Sequence, residues 1–385
     1  MKLYDIAIIG AGAAGLSAAA VAVRQNKSVL ILDMGDKPAR KVLASGGGKC
    51  NITNTAASAD RYFGNNKNFV RGALSRVTPY DILQWCESHK LNLYEKTPGR
   101  YFCADGAAAV VDALRSDAQM ASFVYKTNVL SLTKSNDLFS ISTDNGNYNA
   151  KSVIIATGGI SFGTLGVSDA GYKIAKSFGH QIIPVRPALC AIKTKRFDSE
   201  LSGISIPVEI HVENESINDD MLFTHFGIGG PAVYRATVRD ISAGIIINMC
   251  PGKDIVKILK QAKQTNGRNL ISTVLAQHLP MRLVRFIIGD KNRNIADFRD
   301  TEIKDIASQI QACTIECSDI VLHNMNSAEI VRGGVSTDKI SSKTMESLLC
   351  PGLFFAGEVI DVAGDLGGFN LHWAWASGRV AGQNA

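Results

Sequence analysis

Three glycines near the start of the chain have the spacing of a dinucleotide-binding turn. Gly10, Gly12 and Gly15 form the pattern Gly-x-Gly-x-x-Gly between an apolar stretch and an alanine-rich stretch. In such a turn the first glycine permits the bend, the second lets a pyrophosphate approach the backbone, and the third lets a helix pack closely on a strand. The N–H groups at the start of the helix, here those of Ala13 and Ala14, attract phosphate oxygens. We therefore predict that the turn binds a cofactor containing ADP.

An acidic residue follows this turn at the distance that a ribose requires. Asp33 ends a second short apolar stretch, 18 residues after Gly15. Its carboxylate would accept hydrogen bonds from ribose hydroxyls and would repel a 2′-phosphate. We include the neighbouring Met34 in the predicted site. The fingerprint does not separate FAD from NAD, because both cofactors carry the same ADP moiety.

A second glycine-rich loop near the end of the chain favours FAD, a cofactor with two distant ends. We expect Asp361 to hold a hydroxyl of the ribityl chain or one linked to phosphate. The N–H groups of 368–370 would face the pyrimidine edge of the flavin and stabilise negative charge there. The alternative is a glycine-capped loop without a ligand. The predicted contacts in this region are Gly357, Glu358, Asp361, Gly367, Gly368, Phe369 and Asn370.

A third glycine-rich segment, 45–51, offers a backbone that can pass close to a flat ligand, and Lys41, Lys49 and Asn51 add donors. A flexible hinge is the alternative interpretation of these glycines. Cys50 is a candidate general acid beside the flavin, although a lone cysteine is usually a small buried residue. The predicted cofactor contacts from this segment and from later strands are Lys41, Ser45, Gly46, Gly47, Gly48, Lys49, Asn51, Val129, Ala156, Thr157 and Gly158.

Hydrophobic patterning predicts the elements that position these residues. A buried strand over 3–9, a helix to about 25 and a strand over 28–32 form a βαβ opening. A β-branched strand over 152–156 leads into the Ala-Thr-Gly-Gly segment, and the last helix begins near 370. The chain is therefore expected to have an α/β fold.

These motifs together resemble the BaiN/RdsA/YhiN-like flavoproteins, a family of NAD(P)/FAD-dependent oxidoreductases that includes aminoacetone oxidase-like members. The similarity spans almost the whole chain, and it lies in residues 10–15, 45–51, 156–159, 222–227, 357–361 and 367–370. The resemblance implies FAD as the cofactor. It also implies a Rossmann-type FAD-binding domain split into N- and C-terminal parts by a β-rich, barrel-like subdomain and a small helical subdomain.

We assign residues 1–186 and 331–385 to the FAD-binding domain, 187–250 and 311–330 to the β-rich insertion, and 251–310 to the helical subdomain. Three residues depart from the family pattern. Lys49 stands where arginine is usual, Phe369 where tyrosine is common, and Gly229 where a serine often precedes the Gly-Pro step. Lysine keeps the positive charge but loses the bidentate fork of arginine, so a phosphate grip at this position would be weaker.

Basic residues are concentrated in 251–300, which has ten Lys and Arg against four Asp and Glu and accounts for the net charge of +6. One interpretation is a solvated helical face. The other is a surface that follows phosphates and presents RNA to the flavin. The residues assigned to RNA or another substrate are Lys253, Lys257, Lys260, Lys263, Arg268, Arg282 and Arg285.

The composition indicates a compact enzyme: 46% of the 385 residues are hydrophobic and 20% are charged. The eight cysteines form no CxxC pair, so we expect reduced thiols and no metal site. Asp5 interrupts the apolar start, and no apolar run approaches the roughly 18 residues of a membrane span. We therefore expect neither export nor a membrane segment, and a cytoplasmic location.

The resemblance also implies the class of reaction, because known members reduce carbon–carbon double bonds in ribosomal RNA uridine or in bile acids, and one is an amine oxidase. We predict hydride transfer from flavin N5 to a polarised C=C bond, with His225 or Cys50 supplying the proton. A histidine titrates near neutrality, although a packed, hydrogen-bonded histidine is the commoner finding. With RNA as the substrate, the product would be dihydrouridine.

Two alternatives remain open at this point: an amine or small-molecule oxidase that releases hydrogen peroxide, and a flavin-bound RNA-binding or assembly protein without turnover. Only one convincing dinucleotide fingerprint is present. NAD(P)H would therefore bind only transiently as an electron donor.

Overall fold

The structure is a computed structural model that describes residues 2–385. The chain divides into two compact units, the first formed by the described residues through Pro187 together with Met325–Ala385, the second by Ala188–Asn324. The insertion thus begins within one residue of the predicted boundary but ends earlier than the predicted 330, so 325–330 belong to the first unit.

The first part of the chain contains eleven strands and six helices. The strands are β1 (Leu3–Ile9), β2 (Val29–Leu32), β3 (Asn51–Asn54), β4 (Tyr62–Phe63), β5 (Leu93–Thr97), β6 (Arg100–Cys103), β7 (Ser122–Val124), β8 (Val129–Ser135), β9 (Leu138–Thr143), β10 (Gly146–Ile155) and β11 (Ile182–Ala188). The helices are α1 (Ala13–Arg24), α2 (Arg40–Ala44), α3 (Arg71–Arg76), α4 (Pro79–Ser88), α5 (Ala107–Asp117) and α6 (Ala170–Ser177).

The second unit follows, and then the chain returns to the first. The second unit contains β12 (Ile192–Lys193), β13 (Ser205–Val212), β14 (Glu215–Thr224), β15 (Gly227–Gly229), α7 (Pro231–Thr237), β16 (Ile245–Asn248), α8 (Ile255–Thr265), α9 (Ile271–Leu275), α10 (Met281–Ile288), α11 (Asp300–Gln311), β17 (Cys313–Ile315) and β18 (Val321–Leu322). The returning segment contains β19 (Ile330–Val335), β20 (Leu353–Phe355), β21 (Ala363–Gly364) and α12 (Phe369–Asn384). Across residues 2–385, no helix combines the length and the hydropathy needed to cross a bilayer.

A parallel sheet in the order β7-β2-β1-β10-β20 forms the centre of the first unit. Strand β10 has ten residues and pairs with β1 along one edge and with two strands along the other. Its first half pairs antiparallel with β9, which pairs in turn with β8, and its second half pairs with β20. Strands β1 and β2 are almost continuously apolar because helices cover both faces of such a sheet. This is a Rossmann-type FAD-binding fold with additional antiparallel sheets, as the sequence predicts.

Helix α12 packs on α1 through small residues. A Cβ atom added to Gly378 would lie 2.3 Å from the carbonyl oxygen of Ala14, and one added to Gly382 would lie 2.2 Å from that of Ala18. The backbones therefore touch directly, which explains why α1 is built largely of alanine. The contact joins the first helix of the chain to the last one described.

The second unit is a seven-stranded antiparallel sheet, in the order β17-β16-β13-β14-β15-β12-β18, with helices packed against it. Strand β13 alternates exposed and buried residues, which is the pattern of a sheet with one covered face. Its two outermost strands do not pair with each other among the described residues, and the barrel-like shape stays a prediction. One apolar core contains side chains of both the sheet and α8–α11, and the division at 251–310 stays a prediction.

The α1–α12 contact generates a stability prediction. Replacing Gly382 by alanine forces a methyl group against the Ala18 carbonyl, and overpacking of this kind costs about 1–3 kcal/mol. We expect G382A to lower the free energy of unfolding in urea by that amount. The matched control is Q383A, because Gln383 is the next residue of the same helix and is exposed. Equal stability of the two variants would contradict the packing described.

Candidate functional site

The turn between β1 and α1 has the geometry that its glycines predict. Gly10 has φ +111°, and a Cβ on it would lie 2.4 Å from the carbonyl oxygen of Ala156. A Cβ on Gly15 would lie 1.9 Å from the carbonyl oxygen of Gly10, whereas one on Gly12 would meet nothing within 4 Å. Two glycines are therefore required by packing, and the middle one faces open space.

Helix α1 begins without a side-chain cap. Gly12 is its N-cap, and the first backbone bond within the helix runs from the N–H of Leu16 to the carbonyl of Gly12. The N–H groups of Ala13, Ala14 and Gly15 consequently have no acceptor within the helix. They lie beside the open space at Gly12 and can donate to an anion placed there.

Asp33 organises this turn from the end of β2. Its carboxylate accepts the N–H of Ala11 at 2.6 Å and the N–H of Gly35 at 2.6 Å. These two bonds fix the acid beside the glycine turn. The predicted role in binding ribose remains a proposal that this position supports.

Arg40, a residue that the sequence analysis does not single out, lies over the same acid. Its guanidinium is 3.5 Å from the carboxylate of Asp33, and another of its nitrogens donates to the carbonyl of Leu165. A Cβ on Gly35 would lie 2.6 Å from the same guanidinium. The sequence feature that could have identified Arg40 is its position seven residues after Asp33. A cation beside an acid that binds ribose would also lie near the phosphates of the nucleotide.

The C-terminal loop is attached to the start of α1 at Gly357. Ser377 accepts the N–H of Gly357 at 2.9 Å, and the indole of Trp373 donates to its carbonyl at 3.1 Å. A Cβ on Gly357, where φ is +76°, would lie 2.9 Å from the methyl group of Ala14. Two buried side chains of α12 thus hold the loop against the glycine turn, and neither of these hydrogen bonds was predicted from the sequence.

A second uncapped helix start lies at Gly368, the N-cap of α12. Gly368 has φ +95°, and a Cβ on it would lie 2.7 Å from the backbone of Thr53 and 2.9 Å from Oδ1 of Asn51. That oxygen is buried and has no hydrogen-bond partner. The structure therefore brings Asn51 and the Gly367-Gly368 loop together. Both were predicted to contact the cofactor.

The side chains of Phe369 and Asn370 make contacts within the protein. Phe369 is buried against Tyr62, with ring centroids 6.1 Å apart. Asn370 accepts the N–H of Gly364 at 2.7 Å and donates to the carbonyl of the same residue at 2.9 Å. For these two residues only the backbone N–H groups remain available to a ligand, and it is the N–H groups that were predicted to face the flavin.

The 45–51 segment is a defined turn, and this favours the ligand-binding interpretation over the hinge. Gly46, Gly47 and Gly48 all have left-handed φ angles, and a Cβ on either of the last two would meet nothing within 4 Å. Ser45 donates to the carbonyl of Val42 at 2.7 Å. Lys49 is exposed and reaches only the carbonyl of Ala104, at 3.5 Å.

Lys41, which was predicted to donate to the ligand, is paired within the protein. Its ammonium group lies 2.6 Å from the carboxylate of Glu358 and 2.8 Å from the hydroxyl of Ser161. Glu358 also accepts the N–H of Val331 at 2.9 Å. The pair neutralises both charges and joins α2 to the C-terminal loop. Both residues were predicted to contact the cofactor, and that role stays a prediction.

The remaining predicted contacts lie at strand ends. The N–H of Ala156 donates to Ile9 at 2.8 Å and aligns the segment with the glycine turn. The hydroxyl of Thr157 is buried without a partner, and a Cβ on Gly158 would meet nothing within 4 Å. Val129 begins β8, half-buried.

Asp361 and Met34 differ in their surroundings. Asp361 is buried and accepts the N–H of Asn65 at 3.0 Å, so one of its carboxylate oxygens is used within the protein. Burial raises the pKa of Asp361. Met34 is exposed beside Asp33.

Cys50 is unsuited to the acid role considered for it. Its side chain is fully buried in the core, and burial raises the pKa of its thiol to about 12. A thiol with so high a pKa is a poor proton donor near neutral pH. Cys50 also has φ +49°, so its position reflects the turn that it completes.

These features fit FAD. Two uncapped helix starts, at Gly12 and Gly368, offer N–H groups to the two ends of an extended ligand. Open space lies beside Gly12, Gly47 and Gly158, so a ligand can approach the backbone there. Buried polar atoms of Asn51 and Thr157 lack partners within the protein.

The predicted substrate residues belong to the second unit, and several are already paired. Lys260 and Lys263 lie 2.8 and 3.9 Å from the carboxylate of Asp300, and Arg282 donates to the carbonyl of Glu200 at 2.9 Å. Lys253 contacts the ring of His278 at 3.1 Å. Three of the predicted residues, Lys257, Arg268 and Arg285, are exposed and make no side-chain hydrogen bond or ion pair among the described residues.

His225 is exposed at the tip of the hairpin formed by β14 and β15. It lines an open pocket of about 460 Å³ within the second unit. The pocket is lined by Thr194, Lys195, Arg196, Phe197, Asp198, Ser199, His225, Phe226 and Phe286. We name it the His225 pocket.

Comparison with known proteins agrees with this fold. Residues 4–384 match the family described as the HI0933-like protein Rossmann domain. The chain is 34% identical over 398 residues to the ribosomal RNA dihydrouridine synthase of Escherichia coli (strain K12), covering 100% of the chain and 98% of that protein. It is 37% identical over 384 residues to the protein of the same name from Haemophilus influenzae, covering 96% of the chain and 95% of that protein.

Two further similarities are more distant. The chain is 28% identical over 407 residues to the 3-dehydro-bile acid delta(4,6)-reductase of Clostridium scindens, covering 99% of the chain and 98% of that protein. The solved FrdA chain of Escherichia coli quinol fumarate reductase has a TM-score of 0.51 at 16% identity, covering 99% of this chain and 69% of that one. The last likeness concerns the fold alone.

The glycine turn yields a pair of variants that separate cofactor binding from folding. G12D places a carboxylate in open space at the anion site, so we expect FAD to be lost while the apoprotein keeps its melting temperature. G15A drives a methyl group into the Gly10 carbonyl, so we expect the apoprotein itself to be destabilised. Flavin absorbance and thermal unfolding measure the two effects. Retention of FAD by G12D would refute the assignment of the anion site.

Buried His372 gives a pH prediction. It contacts Thr53 and the carbonyl of Val77, and burial lowers its pKa to about 4 from 6.5. Between these values the unfolded chain binds a proton that the folded chain does not, so stability falls by about 3 kcal/mol as the pH drops from about 6.5 to about 4. We expect H372N to flatten this dependence in urea titrations.

The control for this prediction is H211N, because His211 is exposed. His180 is also buried with a lowered pKa, so H372N reduces the slope without removing it. A slope unchanged by H372N would contradict the assignment.

Proposed function

The chain belongs to the HI0933-like family, a family of FAD-dependent oxidoreductases with a Rossmann domain, and on this premise we propose that it reduces uridine in ribosomal RNA to dihydrouridine. The observation that carries the proposal is full-length identity of 34% and 37% to two ribosomal RNA dihydrouridine synthases. Identity at this level over nearly complete chains favours a shared substrate class.

When bound, FAD supplies the hydride for reduction of a C=C bond. The chain's own residues hold and orient it. In our proposal the N–H groups after Gly12 bind the pyrophosphate, and Asp33 accepts the ribose hydroxyls. The N–H groups after Gly368 stabilise negative charge at the other end of the cofactor.

His225 is the proposed proton donor. Reduction of a C=C bond needs a proton as well as a hydride, and a histidine can deliver one near neutral pH. Of the two residues considered from the sequence, His225 is exposed and Cys50 is buried with a raised pKa. NAD(P)H is proposed as a transient electron donor, since the one dinucleotide fingerprint is assigned to FAD.

A steroid-like enone is the second candidate substrate, favoured by the 28% identity to the bile acid reductase. The proposed chemistry is the same, because both reactions reduce a C=C bond. RNA is preferred on identity and on charge: exposed Lys257, Arg268 and Arg285 in the second unit give it cations that a steroid does not need. An RNA substrate also implies that the protein acts in the cytoplasm.

The function is tested on the RNA of a strain that lacks the gene. Nucleosides of its ribosomal RNA, analysed by mass spectrometry, should lack one dihydrouridine that the parent contains, because two hydrogens are no longer added to that uridine. Expression of the intact chain should restore it, and expression of G12D should not. His225 is tested by H225Q, which should retain FAD and lose most of the activity.

Each other outcome points to a different function. Unchanged RNA together with reduction of a steroid enone would replace RNA by the second candidate. Hydrogen peroxide formed from an amine would indicate an oxidase. RNA binding without any turnover would leave an RNA-binding or assembly protein.

A further inference from the structure

The His225 pocket is a built feature of the second unit. Its hairpin tip is fixed because the N–H of Thr194 donates to the carbonyl of Phe226 at 3.1 Å. The next residue, Gly227, has φ +149°, and a Cβ there would lie 2.3 Å from the carbonyl of Ile192. The volume of about 460 Å³ lies within the range of pockets that hold small ligands.

Aromatic rings line this pocket at different depths. Phe197 is buried and packs edge-on against Phe223, with centroids 5.0 Å apart, and forms the floor. Phe286 is 38% exposed and lies 6.2 Å from Phe197. Phe226 is half-buried and stacks on His323, with centroids 4.7 Å apart. Two rings thus offer surface to a planar group.

The exposure of Phe286 has a specific origin. Leu283 and Val284 of the same amphipathic helix are buried in the core, while Arg282 is anchored to the carbonyls of Glu200 and Ser202 at 2.9 and 3.5 Å. Phe286 is one helical turn after Arg282 and therefore lies on the same face. The arginine holds α10 against the 197–202 segment, so the ring stands at the rim of the pocket.

Two cations line the same pocket. Lys195 and Arg196 are exposed in the pocket, and Lys195 makes no ion pair among the described residues. Arg285 is exposed beside Phe286. The acid of the pocket, Asp198, is used by the backbone, since it accepts the N–H of Glu200 at 2.8 Å. The pocket therefore combines ring surface with positive charge.

We propose that the His225 pocket binds one unstacked nucleotide of single-stranded RNA. The base stacks on Phe286 and Phe226, and Lys195 and Arg196 contact the flanking phosphates. Stacking on aromatic side chains together with cations along the strand is how proteins bind single-stranded RNA. This assignment rests on the proposed function for the identity of the ligand.

The test measures binding of a fluorescein-labelled, uridine-rich RNA oligonucleotide to the FAD-loaded protein by anisotropy at several salt concentrations. F286A should weaken binding about 5- to 100-fold, and F286Y should restore it because the ring is kept. K195Q should weaken binding and reduce the slope of log Kd against log salt by about 0.7, the value for one phosphate contact. All variants should keep their flavin absorbance and melting temperature.

Matched controls come from the same unit. M281A removes an exposed side chain of α10 that is outside the pocket, and K291Q removes an exposed cation outside it. M281A should leave RNA binding unchanged. K291Q should not show the loss of RNA affinity that removal of the Phe286 ring causes. Affinity within twofold of the wild type for both F286A and K195Q would overturn the assignment.

Failure of this assignment is distinguishable from failure of the proposed function. If the pocket variants bind RNA normally and dihydrouridine is still made, only the pocket assignment falls. If the wild-type protein neither binds RNA nor makes dihydrouridine, the proposed function falls as well. If F286A and K195Q instead lower affinity for NADPH and leave RNA binding intact, the pocket belongs to the electron donor and the RNA assignment is wrong.

Discussion

Direct contact between backbones around α1 is the constraint on which the first unit depends. Gly15 is required by the carbonyl of Gly10, and Gly378 by the carbonyl of Ala14, at distances that leave no room for a methyl group. Gly357 then lies against the methyl group of Ala14. These contacts set the uncapped start of α1 beside a loop that is far away in sequence. The anion site is therefore a product of packing as much as of the turn.

The sequence predicts well those features that depend on the backbone. Strand β1 has the predicted bounds, the turn has the predicted close packing at Gly15 and open space at Gly12, and the fold class is confirmed. Side-chain roles were predicted less well, because they depend on partners far along the chain. Lys41 is paired with a residue 317 positions away, and no local pattern reveals such a pair. The roles of Ser377 and Trp373 were missed for the same reason.

Charge in the second unit illustrates the difference between counting residues and placing them. The sequence shows a cationic segment, yet Lys260 and Lys263 form ion pairs with Asp300. Arg282 acts as a structural anchor for α10. Cations outside that segment, Lys195 and Arg196, lie beside exposed rings. Composition alone cannot identify this pocket, because its residues come from three separate parts of the chain.

Strand β10 has a consequence for biosynthesis. Its first half pairs with β9, which directly precedes it, but its second half waits for β20, which is made only after the whole second unit. Helix α12 is made later still. On the ribosome, the edge of β10 that pairs with β20 and the face of α1 that packs on α12 therefore remain uncovered until those elements have been translated. The residues around the cofactor site come together only once α12 has been made, so FAD binding reports that translation has passed this helix.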